Sequence, residues 1–200
     1  MNAQQWRELL LQVSRVILAQ DQPENTDSNR PHFAPKIHAA GYIGFEGATE
    51  DQICAAESRL GARFPPSYRT FLSVSNGWPV MWDSIQPGEL WSTEQIRWTR
   101  EQDPHLVEIL EEFGYDISVE EHLKERGDEF GRHSKHLVSN LLSISEHGDA
   151  CDLVLCPEVV DKNGEWECWF TSSWGGNRRW AGIEGWFQDV YKFYSKRDDS

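Results

Sequence analysis

Basic residues are scarce in this sequence: Lys and Arg number 19 against 33 Asp and Glu, a formal charge of −14. Polyphosphates and anionic lipid faces are bound by positive surfaces, so nucleic acid and membrane are both excluded as expected partners. Long apolar runs are missing as well. No stretch approaches the ~20 apolar residues that span a bilayer, and the opening MNAQQWRELL lacks the basic region and apolar run of a secretory signal. The expected location is cytoplasmic, where the only four cysteines, Cys54, Cys151, Cys156 and Cys168, stay as thiols. They contain no C-x-x-C pair, and Cys151 and Cys156 stand five apart on a predicted strand and so on opposite faces. No metal and no cofactor is expected. The chain also lacks a GxSxG elbow, a P-loop, a GxGxxG and an H-E-x-x-H, so catalysis is not expected either, although a triad assembled only in space leaves no such trace.

What the chain does have is aromatic bulk. Ten Trp, nine Phe and five Tyr in 200 residues are enough to build one core without disulfides. Their placement is helical at both ends. Trp6, Leu9, Leu10, Val13, Val16 and Ile17 predict an amphipathic helix over about 3–19, and Ile183, Trp186, Phe187, Val190, Tyr191 and Tyr194 predict another. Residues 21–47 read as a polar linker or loop, with three prolines by Pro35.

Between these ends the punctuation is dense. Thr49 and Gln52 make a capping box for a helix carrying Ile53, Ala56 and Leu60, which stops at Gly61. In FPPSYRTFLSVSNGW (64–78), the prolines start a helix, Tyr68, Phe71 and Leu72 form its buried face, and Asn76-Gly77 offers a left-handed stop. Ser92 and Gln95 offer another box; Asp103 with Pro104 starts a helix whose Leu106, Ile109, Leu110 and Phe113 share a face before Gly114; Ser118 and Glu121 start a third, ending near Gly127. A short strand or turn is expected near 80–85, and strands from Leu141. The turn Asp161–Gly164 joins two β-rich runs, with Trp166, Cys168 and Phe170 on a core face and Glu165, Glu167, Trp169 and Thr171 on the other. The glycines of 174–180 are read as a turn rather than an anion cradle.

The order of these features, capped helix, loop, proline-started helix, Asn-Gly-Trp, then strands, GEWECWF and a final aromatic helix, resembles the SUKH superfamily. That superfamily includes the yeast cell-wall assembly regulators and many bacterial immunity proteins. The resemblance implies a single α+β domain over 48–194 with a largely antiparallel sheet flanked by helices, preceded by a helix at 1–20 and followed by a tail at 195–200. It implies protein binding and carries over no catalytic residue. The expected function is that of an immunity protein that neutralises a cognate, basic, possibly nuclease toxin by stoichiometric binding. The alternative is an intracellular scaffold or regulatory module of the yeast type.

One further feature is local. Residues 101–129 hold eleven Asp and Glu and two Lys and Arg, a charge of −9 out of −14, within a helical insertion at about 95–136. Such density steers a basic partner, or merely solvates a helical face. Asp103, Glu108, Glu111, Glu112, Glu120 and Glu121 are the candidate contacts, with Glu89 and Trp91 as a second patch beside the Asn-Gly-Trp turn. His133 and His136, three apart, are read as surface groups, since two histidines do not close a tetrahedral metal site.

Overall fold

Helix α1 (Ala3–Gln20) buries its apolar stripe, and the Trp6 ring lies 5.3 Å from Phe71 and 5.4 Å from Phe187. In this computed structural model the N-terminal helix is therefore part of the main core, and buried Ser14 ties it to the next segment by accepting the Ile43 N–H at 3.2 Å. The structure describes residues 1–20, 33–80, 87–127, 131–148, 151–172 and 176–196. The expected loop over 21–32, most of the expected strand or turn at 80–85, Asp128, Glu129, Asp149 and the start of the expected glycine turn, 174–175, lie outside them; the rest of that expected turn, Gly176–Trp180, is a strand.

Part of the expected linker is helical: α2 (Pro35–Ala40) starts on Pro35 and ends at Gly41 with φ 64°. Helix α3 (Glu50–Leu60) has the Thr49–Gln52 capping box and stops at Gly61. Helix α4 (Pro66–Val74) starts on proline but ends differently from the sequence expectation. Ser75 is the cap in extended conformation, while Asn76 accepts the Thr93 N–H at 2.8 Å through its side chain. Gly77 takes φ +100°, and a Cβ there would sit 2.5 Å from the Leu90 carbonyl, so both the backbone and the space require glycine. The first turn of α4 is satisfied from far away: Glu165 accepts both the Ser67 N–H at 3.0 Å and the Ser67 hydroxyl at 2.5 Å.

The sheet is antiparallel in the order β1 (Arg97–Trp98), β2 (Leu142–Ser143), β3 (Cys151–Val160), β4 (Trp166–Ser172), β5 (Gly176–Trp180). Helices with a five-stranded antiparallel sheet make an α+β fold, as expected. Asp161 shapes the β3–β4 turn by accepting the N–H groups of Asn163 and Glu165. Pairing of Val154 with Trp169 and of Trp169 with Arg179 puts these three on one face, with Cys156, Glu167 and Asn177 beside them. The opposite face carries Leu153, Leu155, Cys168 and Phe170 and is closed by α8 (Ile183–Ser195), α1 and α4.

The predicted alternation in β4 is present, but both faces are covered. The second face is sealed by α5 (Thr99–Gln102), α6 (Pro104–Glu112), α7 (Val119–Lys124) and a 3-10 helix (Lys135–Asn140). Leu106 and Leu110 of α6 pack there with Leu137, Val138, Val154, Cys156 and Trp169. The acidic segment is thus the connection between two neighbouring strands, β1 and β2. Its base is fastened where the Thr99 N–H donates to the Leu141 carbonyl and the Thr99 and Ser143 hydroxyls meet at 2.9 Å. Its far end reaches the opposite edge, where Gly131 bridges Asn177 of β5.

Candidate partner-binding surface

Helix α6 begins where the sequence says it should, with the Asp103 carboxylate accepting the Leu106 N–H at 3.0 Å and Pro104 in the first turn. Only Leu106 and Leu110 are buried along it. Phe113, expected on that face, falls just past the last turn and is 65 % exposed. Helix α7 has its capping box, in which Ser118 accepts the Glu121 N–H and Glu121 accepts the Ser118 N–H at 3.1 Å. The Ser118 N–H, and after it the Ser118 hydroxyl at 3.0 Å, donate to the Glu121 carboxylate and hold it below its usual range.

What fixes α7 on the sheet is a buried polar network. His122, Glu167 and Arg179 all have fully buried side chains. The Ser134 N–H donates to His122 Nδ1 at 3.1 Å, and His122 Nε2 lies 2.6 Å from Glu167 Oε2 and 2.5 Å from Arg179 Nη1. Trp169 Nε1 donates to the same oxygen at 2.7 Å, and Arg126, in the turn after α7, donates to Oε1 at 2.7 Å. Arg179 donates through Nη2 to the carbonyls of His122 and Arg132 at 2.7 and 3.0 Å. Burial pushes the Glu167 carboxyl up, but the His122, Arg179 and Arg126 partners outweigh it and hold the group below the ordinary carboxylate range. Burial likewise lowers the Arg179 pKa, opposed by Glu167.

His133 is the second tie. It is buried, not at the surface as expected, because it closes the end of α6: Nε2 donates to the Leu110 carbonyl at 2.6 Å while Nδ1 accepts from Asn177 Nδ2 at 2.6 Å. Desolvation lowers its pKa despite the bond to Leu110. His136 does lie at the surface, 2.7 Å from Asp116.

The structure divides the eight candidate contacts. Glu108, Glu111, Glu112 and Glu120 are exposed on α6 and α7, with Glu108 near His105 and Glu120 paired with Lys124 at 3.2 Å. Asp103 is half-buried and Glu121 is exposed, and both carboxylates are engaged as helix caps. Glu89 is half-buried, and burial with Glu146 nearby raises its pKa. Trp91 is only 6 % exposed, packed in the main core with Arg97 over its ring, so it offers little to a partner. Phe113, Tyr115, Val119 and Leu123, exposed among the acids, were not among the candidates. Phe113 is exposed because α6 ends at Glu112 and leaves it as the C-cap.

Elsewhere, a cleft of about 530 Å³ lies along α3 and α4, lined in part by Ile53, Phe64, Arg69 and Thr70. Arg69 is tied there to Glu57 at 3.0 Å and to Glu50. Cys151, Cys156 and Cys168 are buried thiols on β3 and β4, and Cys54 is exposed on α3. Burial drives the Cys156 thiol up to about 12. Among the described residues no group of three or more His, Cys, Asp and Glu side chains is arranged to hold a metal ion, and no helix is long and apolar enough to cross a membrane.

With α4, the Asn-Gly-Trp turn, the sheet and α8 in place, the comparison with known families is decisive: the model of the SMI1 / KNR4 family (SUKH-1) matches residues 47–189. The chain belongs to the SMI1 / KNR4 (SUKH-1) family. A comparison with curated proteins finds no match. The family assignment supports a protein-interaction role of the immunity or SMI1 type. The matched span runs through the acidic segment and leaves out α1, although Trp6 of α1 is at the centre of the core.

Proposed function

We propose that this SUKH-1 protein is an immunity protein that neutralises a basic toxin domain by forming a stoichiometric complex, without catalysis. The supporting observation is the seating of the acidic connection. Glu108, Glu111 and Glu112 project from α6, which is seated on the sheet by Leu106, Leu110 and the His133 bond, and Glu120 projects from α7, which is pinned by the buried His122–Glu167–Arg179 network. A preorganised charged surface loses little entropy on docking, and its field speeds encounter with an oppositely charged partner. Toxins that cut nucleic acid carry positive surfaces for their substrate, which makes them complementary to this face.

The test is a titration against the product of the neighbouring open reading frame. Inhibition that saturates near a one-to-one ratio supports the proposal. Loss of many toxin molecules per molecule of this protein would point to an enzyme, and a neighbour with no toxic activity would favour the regulatory alternative.

A further inference from the structure

Nine large apolar side chains are exposed among the described residues, and four of them, Phe113, Tyr115, Val119 and Leu123, fall within the short segment 113–123. This is the most acidic part of the protein, where exposed apolar groups would otherwise be unexpected. Val119 and Leu123 stand i, i+4 on α7, so their exposed side chains are neighbours on its surface. The Tyr115 backbone is held by the His133 carbonyl and the Lys135 N–H, and the Arg132 guanidinium lies 5.4 Å from the centre of the Tyr115 ring. Arg132 in turn is bonded at 2.7 Å to Glu125 just after α7. The ring and the helix are thereby linked through one cation on a fixed scaffold.

We infer that Phe113, Tyr115, Val119 and Leu123 form the anchoring centre of the partner interface, and that the occupant is a protein surface presenting an apolar contact ringed by Lys and Arg. The inference rests on the protein-binding role proposed above and names the chemistry of the partner. Charge complementarity selects the occupant. Glu111 and Glu112 border Phe113, and Glu120 and Glu121 border Val119, so an apolar partner surface must carry cations around it to be stabilised there. A second copy of this chain is disfavoured by the same field, since each copy has a net charge of −14. In interfaces of this kind aromatic anchors carry the affinity, while rim charges set the encounter rate.

The probe is a phage-displayed library of random peptides, selected against the full-length protein. The inference expects enriched peptides in which an aromatic or aliphatic residue is flanked by Lys or Arg. Phe113→Ser and Tyr115→Ser, both at exposed positions, should weaken the best peptide roughly 30-fold, the size of a hot spot, while leaving the melting temperature unchanged. Glu111→Gln with Glu112→Gln should instead flatten the salt dependence. The inference is overturned if no peptide is enriched, if enriched peptides lack positive charge, or if Phe113→Ser leaves their affinity intact. Dimerisation of the wild-type chain that Phe113→Ser abolishes also overturns it, since the occupant is then a second copy. Toxin inhibition separates the two readings: a Phe113→Ser protein that still neutralises the toxin fails this inference alone, whereas peptide binding without any neutralisation fails the immunity role alone.

Discussion

The two faces of the sheet are held by different physics. On the first, Leu153, Leu155 and Cys168 meet Trp6, Phe71 and Phe187 of three helices, a contact that is non-directional and scales with buried area. On the second, Val154, Cys156 and Trp169 share the surface with Glu167, Arg179 and Asn177, which reach up to His122 and His133 of the acidic connection. The first face joins elements and tolerates exchange of one apolar shape for another. The second is directional: each hydrogen bond specifies where α6 and α7 sit, and a missing partner leaves a buried charge. Adhesion builds the domain, and geometry positions the surface it presents.

The strongest way to break this comparison is to remove one polar atom pair and one apolar group of similar burial. Glu167→Ala should cost about 3–5 kcal/mol, because Arg179 is then buried without its carboxylate. Leu155→Ala should cost about 2–5 kcal/mol by transfer and cavity terms. Urea unfolding gives both numbers. Replacing Glu167 with Gln, which keeps shape and some hydrogen bonding, should lie between wild type and Ala; a Glu167→Ala protein as stable as wild type would reduce the second face to ordinary packing.

Two cysteines report on the faces separately. Cys156 is buried under the acidic connection and Cys168 under the main core. In native protein only exposed Cys54 should react promptly with a thiol reagent, and four thiols should titrate after unfolding. Glu167→Ala should accelerate labelling of Cys156 more than that of Cys168, because it loosens the connection before the core opens. Equal acceleration at both sites would mean that the two faces unfold as one unit.

Acid should act selectively as well. Burial depresses the His133 pKa below its value in the unfolded chain, so the unfolded state binds more protons as pH falls below ~6.5. Stability from this group is complete above that pH and is lost as pH falls through the folded value. Glu167, also depressed, repeats the pattern lower, beginning near the ordinary Glu value of ~4.3. Glu165 and Asp152 are both raised by burial, and as they take up protons they offset part of the loss at the lower step. Melting temperatures between pH 7.5 and 5.5 should therefore fall for wild type and fall less for His133→Asn. An identical slope in the variant would remove His133 from the account.

These differences also set what could be read without coordinates. Caps are local chemistry, so Thr49 with Gln52, Asp103, and Ser118 with Glu121 were legible from their spacing. The same pattern at Ser92 and Gln95 does make its side-chain bond, but the chain there forms a turn that leads into β1, because pairing with β2 outcompetes a helix. Burial of His122 and His133 was not legible, since their partners lie 45 and 44 residues away. Neither was the Glu165 cap on α4, which spans 98 residues. The alternation in β4 correctly sorted its side chains into two faces, yet nothing in that strand says that the face with Glu167 is covered. That depends on where the β1–β2 connection folds back.

The smallest effect on stability belongs to the charges that point away from both faces. Glu108, Glu111 and Glu112 project into solvent, so neutralising them as Gln keeps side-chain size and helix propensity while cutting repulsion within a segment of charge −9. Stability should change by no more than about 0.5 kcal/mol, in the stabilising direction if at all. The kinetic effect should be larger. Rim charges raise the association rate through a field that salt screens over ~8–10 Å near physiological strength, so the triple variant should bind a basic partner more slowly at low salt and converge with wild type at high salt. Dissociation should be nearly unaffected, because Phe113 and Tyr115 remain in place. Stopped-flow measurements across a salt series separate these terms. An unchanged, equally salt-sensitive association rate would assign the acidic helices to solvation and move recognition to another part of the surface.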